Sequence, residues 1–596
     1  MSYPINWDLE SIFPGGITSP QLQARIQAVA AEIPTVASAI ADWDASAPDF
    51  AKLSAILTTL EDVENGLSTA GTFANMIQSA DTANEQAGVV MNQVQTVATA
   101  AAAATTALQK KLVAMSDDDF ARLCADSAFT TIAFNLTELR QHGQELLDDA
   151  SEALINNLAI DGFQGWGNHY DLLSGEQRFT MADGSELSAG QTQNRFESSL
   201  DEADRKDTFA RWEATWSKNA PAFADTLNHL AGFRLANYRA HGITDYLQKP
   251  LETTRMSRAT LDQMWGTVSA NKAPFVAYLQ QKAKLQGQAS MPWYDQWAPV
   301  VVGDYQPKTY TFDEAAEFII DNFGKFSPKM AAFAQHAFEH GWIEAEDRPG
   351  KRAGGYMTSV PDTKEARIFM TFDGSASGVS TIAHELGHAF HNSVLKDFPA
   401  LRRDYAMNVA ETASTFAELI VADATVKAAT SPAEQLNLLD AKMSNPLAML
   451  LNIHARYLFE RKFYDARQHG TVTVPELKAM MTAAQQEGYA GGISTFDPMY
   501  WADKLHFYIT DVAFYNFPYT FGYLFSSGIY AKAQAGGGDF EAAYIALLQD
   551  TANMSTEELA QKHLGVDLTQ PDFWQQGIDL AAKDAQQFID LSQQYL

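Results

Sequence analysis

The segment Val379-Ser380-Thr381-Ile382-Ala383-His384-Glu385-Leu386-Gly387-His388-Ala389-Phe390-His391 reads as a helix. Val379, Ile382, Leu386 and Phe390 recur at helical spacing, Ser377 and Ser380 are candidate N-caps, and Pro399 lies beyond the expected end. His384 and His388 are four residues apart, so both imidazoles leave one face and can close on a single ion. Glu385 sits about 100° round the helix, beside such an ion without having to bind it. Two neutral nitrogen ligands with a carboxylate poised to take a proton from water are what a hydrolytic zinc site requires.

Composition narrows the classes. The chain has 596 residues, 46% of them hydrophobic and 19% charged, which is a globular balance with no call for disorder. Its 42 basic and 73 acidic groups leave a net charge of −31, a field that repels phosphate backbones and anionic membranes, so neither nucleic acid nor membrane is expected as a partner. The single cysteine, Cys124, excludes an internal disulfide framework and a cysteine-rich metal site. Any metal is therefore held by histidine and carboxylate. The first residues carry neither a basic start nor an apolar core, and the Ala/Thr run from Val97 to Leu108 is too short to span a bilayer, so a cytoplasmic location is expected. Nothing in the sequence sets an oligomeric state.

From Ser19 to Leu158 the pattern is almost continuously helical, with Leu22, Ile26, Val29 and Ile33 marking one face. The acidic run Asp117–Asp119 fits a solvated helix N-terminus. Between residues 160 and 192 glycine-rich and turn-forming stretches predict a hairpin-like excursion and a boundary between lobes. Ahead of the histidine helix, Ile368, Met370 and Phe372 alternate and predict a strand, whose free edge would suit an extended peptide.

A catalytic metal needs a third protein ligand. His391 shares the face of His384 and His388, but three consecutive turns of one straight helix do not converge on one tetrahedral ion, so it is expected to be buried or to support another ligand. Glu411 is the better candidate. It lies in Met407-Asn-Val-Ala-Glu-Thr-Ala-Ser-Thr-Phe-Ala-Glu418, helical by pattern, and its neighbours are small or apolar. Glu418, two turns on along the same face, could orient a ligand histidine or be a solvated charge. In Phe514-Tyr-Asn-Phe-Pro-Tyr-Thr-Phe-Gly-Tyr523 the phenylalanines 514, 517 and 521 read as core, while Tyr515, Tyr519 and Tyr523 recur every four residues and could line one wall.

His384-Glu-Leu-Gly-His-Ala-Phe-His391, followed by Ala410-Glu-Thr-Ala-Ser-Thr-Phe-Ala-Glu418, resembles the thimet oligopeptidase and oligoendopeptidase F family of zinc metallopeptidases. The opening Trp7-Asp-Leu-Glu-Ser-Ile-Phe-Pro-Gly, the aromatic segment 514–523 and Pro571-Asp-Phe-Trp574 resemble its oligoendopeptidase F branch. The similarity covers nearly the whole chain and is strongest from Asn194 onward.

The resemblance implies a mainly α, two-lobed zincin-like fold with a deep substrate channel and a small β-sheet next to the metal helix. It implies an N-terminal helical lobe over 1–193 and a catalytic domain over 194–596. It further implies one Zn2+ on His384, His388 and Glu411, Glu385 as the base, and short peptides as substrates. His506 and two tyrosines, placed here at Tyr515 and Tyr519, would help hold the scissile carbonyl. In the thimet branch a tyrosine follows that histidine by five residues, whereas position 511 here is aspartate. The expected activity is cleavage of internal bonds in oligopeptides. The alternatives are a metallocarboxypeptidase on the same scaffold and a helical peptide-binding protein with a structural metal.

Overall fold

Leu22, Ile26, Val29, Ile33, Val36 and Ile40 all fall on the buried face of the helix Pro20–Asp42, with Pro20 at its first position. Two longer helices, Phe50–Ala80 and Glu85–Ala114, pack on it and on each other. The side chains of Asp49 and Asn84 cap them by accepting from backbone N–H groups of the first turn. Asp117–Asp119 form the first turn of the helix Asp117–Ala125, where carboxylates complement the helix dipole. The computed structural model describes residues 2–303, 306–536 and 540–596. Among these residues the architecture is mainly α, as the periodicity predicts, with two small sheets.

Two expectations need correction. The glycine-rich stretch after Ala159 is not a loop: Ile160–Gln164 forms a wide helical turn that runs straight into the helix Gly165–Gly175. Tertiary stacking overrides the poor helix propensity of its glycines. Phe163 stacks on Phe233 at 4.8 Å, Trp166 on His229 at 4.4 Å, and Tyr170 on Tyr508 at 3.8 Å. Only the end of the excursion is a hairpin, β1 (Phe179–Thr180) against β2 (Glu186–Leu187).

The second correction concerns the strand ahead of the histidine helix. In the three-stranded sheet, β3 (Ile343–Glu344) runs parallel and β4 (Tyr356–Val360) antiparallel to β5 (Glu365–Phe369), in the order β3-β5-β4. The predicted strand is therefore central, with both edges paired, and Ala366–Met370 are buried without alternation. That is the pattern of a strand covered on both faces. The edge strand on this side of the sheet is β4, and Gly355 at its start lies close enough to the histidine helix that a Cβ there would stand 3.7 Å from Glu385 Oε1.

Three helices carry the site: the histidine helix Ala376–Leu395, the glutamate helix Met407–Lys427 and the tyrosine helix Phe517–Ala535. Their apolar faces belong to the largest core, which extends from Tyr170 to Phe588, while smaller clusters serve the N-terminal helices. The tyrosine helix is buried nearly all round from Phe517 to Tyr530, so it runs through that core. Two glycines set the spacing. A Cβ on Gly387 would lie 2.4 Å from the Ala413 carbonyl oxygen, and one on Gly522 would lie 2.6 Å from Glu411 Cβ. Both contacts are closer than van der Waals packing allows, so only glycine lets the three helices meet here. Among the described residues, no helix is long and apolar enough to cross a membrane.

Candidate metal centre

The N-cap of the histidine helix lies two residues before Ser377. Ser375, not Ser377 or Ser380, is the N-cap: its Oγ accepts from the Gly378 N–H at 2.9 Å and donates to Asp373 Oδ1 at 2.6 Å. From that start, His384 and His388 project from one face with ring centroids 4.9 Å apart and planes at 82°. Glu411 reaches both from the glutamate helix, its Oε2 lying 3.3 Å from His384 Nε2 and 3.5 Å from His388 Nε2. Among the described residues these three form the one group whose ligand atoms lie within 4.8 Å of one another.

Further groups fix the donors. Ser414 donates to Glu411 Oε2 at 2.7 Å. Glu418 Oε2 lies 3.2 Å from His384 Nδ1, and its Oε1 accepts from Asn445 Nδ2 at 2.6 Å. The Glu418 contact holds His384 with Nε2 toward Glu411, the carboxylate–histidine pairing that orients metal ligands. Asn445 and Ser414 were not singled out in the sequence. Ser414 is three residues past Glu411, so helical spacing could have suggested it, whereas Asn445 belongs to another helix and left no signal. A cavity of about 580 Å³ opens beside Glu418 and is lined also by Ser377, Ser380, Asn445 and Tyr523.

The charges of this cluster call for a cation. Burial disfavours the His384 imidazolium, yet carboxylates on both its nitrogens outweigh that and hold its pKa well above the usual value. Burial likewise pushes Glu411 up, but His384 and His388 bring it down to about 2. His388 is driven down to about 4, mainly by burial. Burial, reinforced by Glu411, lifts Glu385 to about 7, and its Oε2 is buried without a hydrogen-bond partner. Two imidazoles, the Glu411 carboxylate and the supporting Glu418 form a nitrogen-and-oxygen donor set rich in carboxylate, which a divalent cation fits. Borderline zinc matches imidazole with carboxylate, and the donor number leaves a position open.

His391 points elsewhere. It is fully buried, stacks on Tyr405 at 4.2 Å, and places Nε2 2.9 Å from Thr551 Oγ1. His506, Tyr515 and Tyr519 are gathered into one half-buried cluster, with ring centroids 5.5, 6.1 and 5.6 Å apart for the pairs 506–515, 506–519 and 515–519. Tyr515 precedes the tyrosine helix, so only Tyr519 and Tyr523 share a helical face, and Tyr523 is buried. Phe514, Phe517 and Phe521 are core. Burial, with Arg456 and Lys504 adding to it, lowers His506 to about 3, so its ring is neutral at ordinary pH.

A helical scaffold that brings H-E-x-x-H and a glutamate of the following helix to one point is that of a metallopeptidase. The sequence profile of Peptidase family M3 matches residues 195–580, and that of Oligopeptidase F matches residues 111–179; the chain belongs to peptidase family M3. It is 22% identical to oligopeptidase PepF of Bacillus subtilis over 99% of this chain and 87% of that protein. It is 26% identical to an oligoendopeptidase F homologue of Lactococcus lactis over 51% of this chain, a match that spans 50% of that protein. The fold superposes on a solved structure from Chlamydophila abortus with a TM-score of 0.83, at 19% identity and covering 98% of both chains. On oligoendopeptidase-F from Enterococcus faecium the TM-score is 0.70, at 15% identity, over 96% of this chain and 98% of that one.

Proposed function

We propose that the chain is a zinc-dependent endopeptidase of short peptides. The observation that carries this reading is the approach of His384, His388 and Glu411 to one point beside the buried, unpartnered Oε2 of Glu385. Zinc held by those three side chains would supply the Lewis acidity that polarises a peptide carbonyl and acidifies water. Glu385 takes the proton of the attacking water as its oxygen bonds to the carbonyl carbon, then delivers that proton to the amine as the C–N bond breaks. A pKa lifted by burial suits a group that must both accept and return a proton near neutrality. Glu418 keeps His384 in the binding tautomer. Neutral His506 and the hydroxyls of Tyr519 and Tyr515 donate hydrogen bonds to the developing oxyanion, each donor of this type being worth about 3–4 kcal/mol of barrier.

The test is Glu385→Gln in zinc-loaded protein, assayed on a quenched peptide blocked at both ends. The variant should keep its zinc by elemental analysis and lose turnover. Cleavage at the wild-type rate would remove Glu385 from the mechanism. If the wild type cuts only peptides with a free C-terminus, the carboxypeptidase alternative takes the place of the endopeptidase.

A further inference from the structure

The segment between His506 and the tyrosine helix carries Tyr515, and charged side chains from other helices hold it at two points. From Leu505 to Asn516 it contains no glycine. Yet Phe514 has φ +55°, in the left-handed region, which a bulky side chain adopts only where its surroundings impose it. The other non-glycine residues of positive φ among the described residues are Arg255, Lys364 and Ala490, so Phe514 is the one aromatic among them. Early in the segment, Arg234 of the helix Ala220–Ala240 donates from Nη2 to the carbonyls of Ile509 at 2.8 Å and Thr510 at 2.9 Å. Later in it, Glu460 Oε1 accepts from the Phe514 N–H at 2.8 Å. Both charged residues are buried, Arg234 at 6% exposure and Glu460 at 4%.

Glu460 belongs to the helix Ile453–Arg467, in which Tyr457, Glu460 and Tyr464 recur at helical spacing and are all buried. That face builds a seat for Phe514. Tyr464 packs on its ring at 5.3 Å and Tyr457 at 6.1 Å, while Tyr246 stacks on it at 5.5 Å. Arg234 also donates from Nη1 to the Tyr464 hydroxyl, so the two clamps share a member. The left-handed turn sends two consecutive aromatic side chains different ways. Phe514 is buried in the seat, whereas half-buried Tyr515 turns to His506 at 5.5 Å and to Tyr519 at 5.6 Å. Burial lifts the Glu460 carboxyl to about 7, against the Phe514 N–H, Arg234 and Asn516, each of which favours its charged form. Phe514 and Asn516 flank Tyr515 in the chain, so one carboxylate engages both of its neighbours.

We infer that Glu460 is a positioning residue that acts through Tyr515: by holding the Phe514 N–H it fixes the left-handed turn that keeps the Tyr515 side chain beside His506 and Tyr519. The inference rests on the peptidase reading, in which Tyr515 is an oxyanion donor, and adds to it the group that keeps that donor in place. A donor stabilises developing charge fully only if it is already in position, because rearrangement at that moment is a cost. Without the Glu460 acceptor the buried Phe514 N–H loses its partner, and the strained turn loses the bond that sustains it. Tyr515 then leaves the cluster, while the metal ligands, which lie on two other helices, stay where they are.

The test is a double-mutant cycle of Glu460→Met with Tyr515→Phe, assayed in zinc-loaded protein on the end-blocked quenched peptide. Tyr515→Phe should lower kcat by about a hundredfold and Glu460→Met by about tenfold or more, each with KM within about twofold of the wild type. In the Tyr515→Phe background, Glu460→Met should cost less than about twofold further, because the group it positions is already gone. Glu460→Gln keeps an oxygen for the Phe514 N–H and should retain most of the turnover. Losses that multiply in the double variant, as a merely structural role for Glu460 requires, overturn the inference. So does a Tyr515→Phe variant that turns over at the wild-type rate. Residue-resolved hydrogen exchange of the wild type gives a reading even where Glu460→Met does not fold. There the Phe514 amide should exchange far more slowly than that of exposed Asp511, and equal rates overturn the clamp. Wild-type cleavage and zinc content are scored first, so failure of the peptidase reading appears there and failure of the positioning role only in the cycle or the exchange.

Discussion

His506 shows how much one side chain's surroundings decide its chemistry. Burial, with two neighbouring cations adding to it, disfavours its imidazolium and lowers its pKa to about 3. Between pH 5 and 8 the ring is therefore a neutral donor, available to an oxyanion but unable to act as a general acid. His506→Phe should lower kcat by about a hundred- to a thousandfold with little change in KM, as expected for a group that acts in the transition state. Because the ring does not titrate in that range, the acid limb of the kcat/KM profile should stay where it is. A limb displaced in His506→Phe would mean that the residue ionises during turnover. At this scale, legibility in the sequence depended on whether local spacing carried the information. His384, Glu385 and His388 declare themselves because four residues are about one helical turn. Glu411 was readable because an acid among small and apolar neighbours on a predicted helix needs a reason. Asn445, which steadies Glu418, could not be found that way, since its role exists only once two helices are packed together. Residue type alone does not separate Ser375 from Ser377 and Ser380, because cap choice depends on which serine leaves the helix with extended backbone.

The elements meet through gaps in their side chains as much as through contacts. Gly387 occupies the middle of the histidine motif, and its missing Cβ lets the glutamate helix come close enough for Glu411 to reach both imidazoles. Gly387→Ala sets a methyl group against the Ala413 carbonyl, and neither backbone can yield without moving a ligand. The expected cost is about 1–3 kcal/mol of stability, the range for overpacking a tight interface. Zinc stoichiometry should fall with it, which elemental analysis after gel filtration measures alongside a urea-unfolding curve. A variant with full zinc and an unchanged midpoint would show that the helices have room to separate. The strand ahead of the histidine helix teaches the complementary lesson. Its apolar residues were visible, but Ile368, Met370 and Phe372 also fit a fully covered strand, and only the pairing of β5 on both sides distinguishes the two. In the same way the glycines between residues 160 and 175 obscured a helix that distant aromatic partners stabilise, Tyr508 among them.

Over the whole molecule the charge is one-sided, while the site is not. A net −31 places the protein's surroundings at negative potential, yet Arg456 and Lys504 lie close enough to His506 to help hold its ring neutral. The two scales act on different steps of an encounter. The long-range field governs approach and is screened by salt, with a Debye length of about 10 Å at 0.1 M ionic strength, whereas a half-buried pair is screened far less. Peptides with several lysines should therefore associate faster than acidic ones of equal length. Measured as kcat/KM on two quenched hexapeptides of net charge about +2 and −2, the cationic substrate should lead by several-fold at 10 mM salt. That lead should shrink toward unity by 0.5 M, because attraction and repulsion by the surface are both screened away. If the ratio instead holds constant across the salt range, discrimination comes from contacts at the site itself, and the acidic surface would have to be explained by solubility alone.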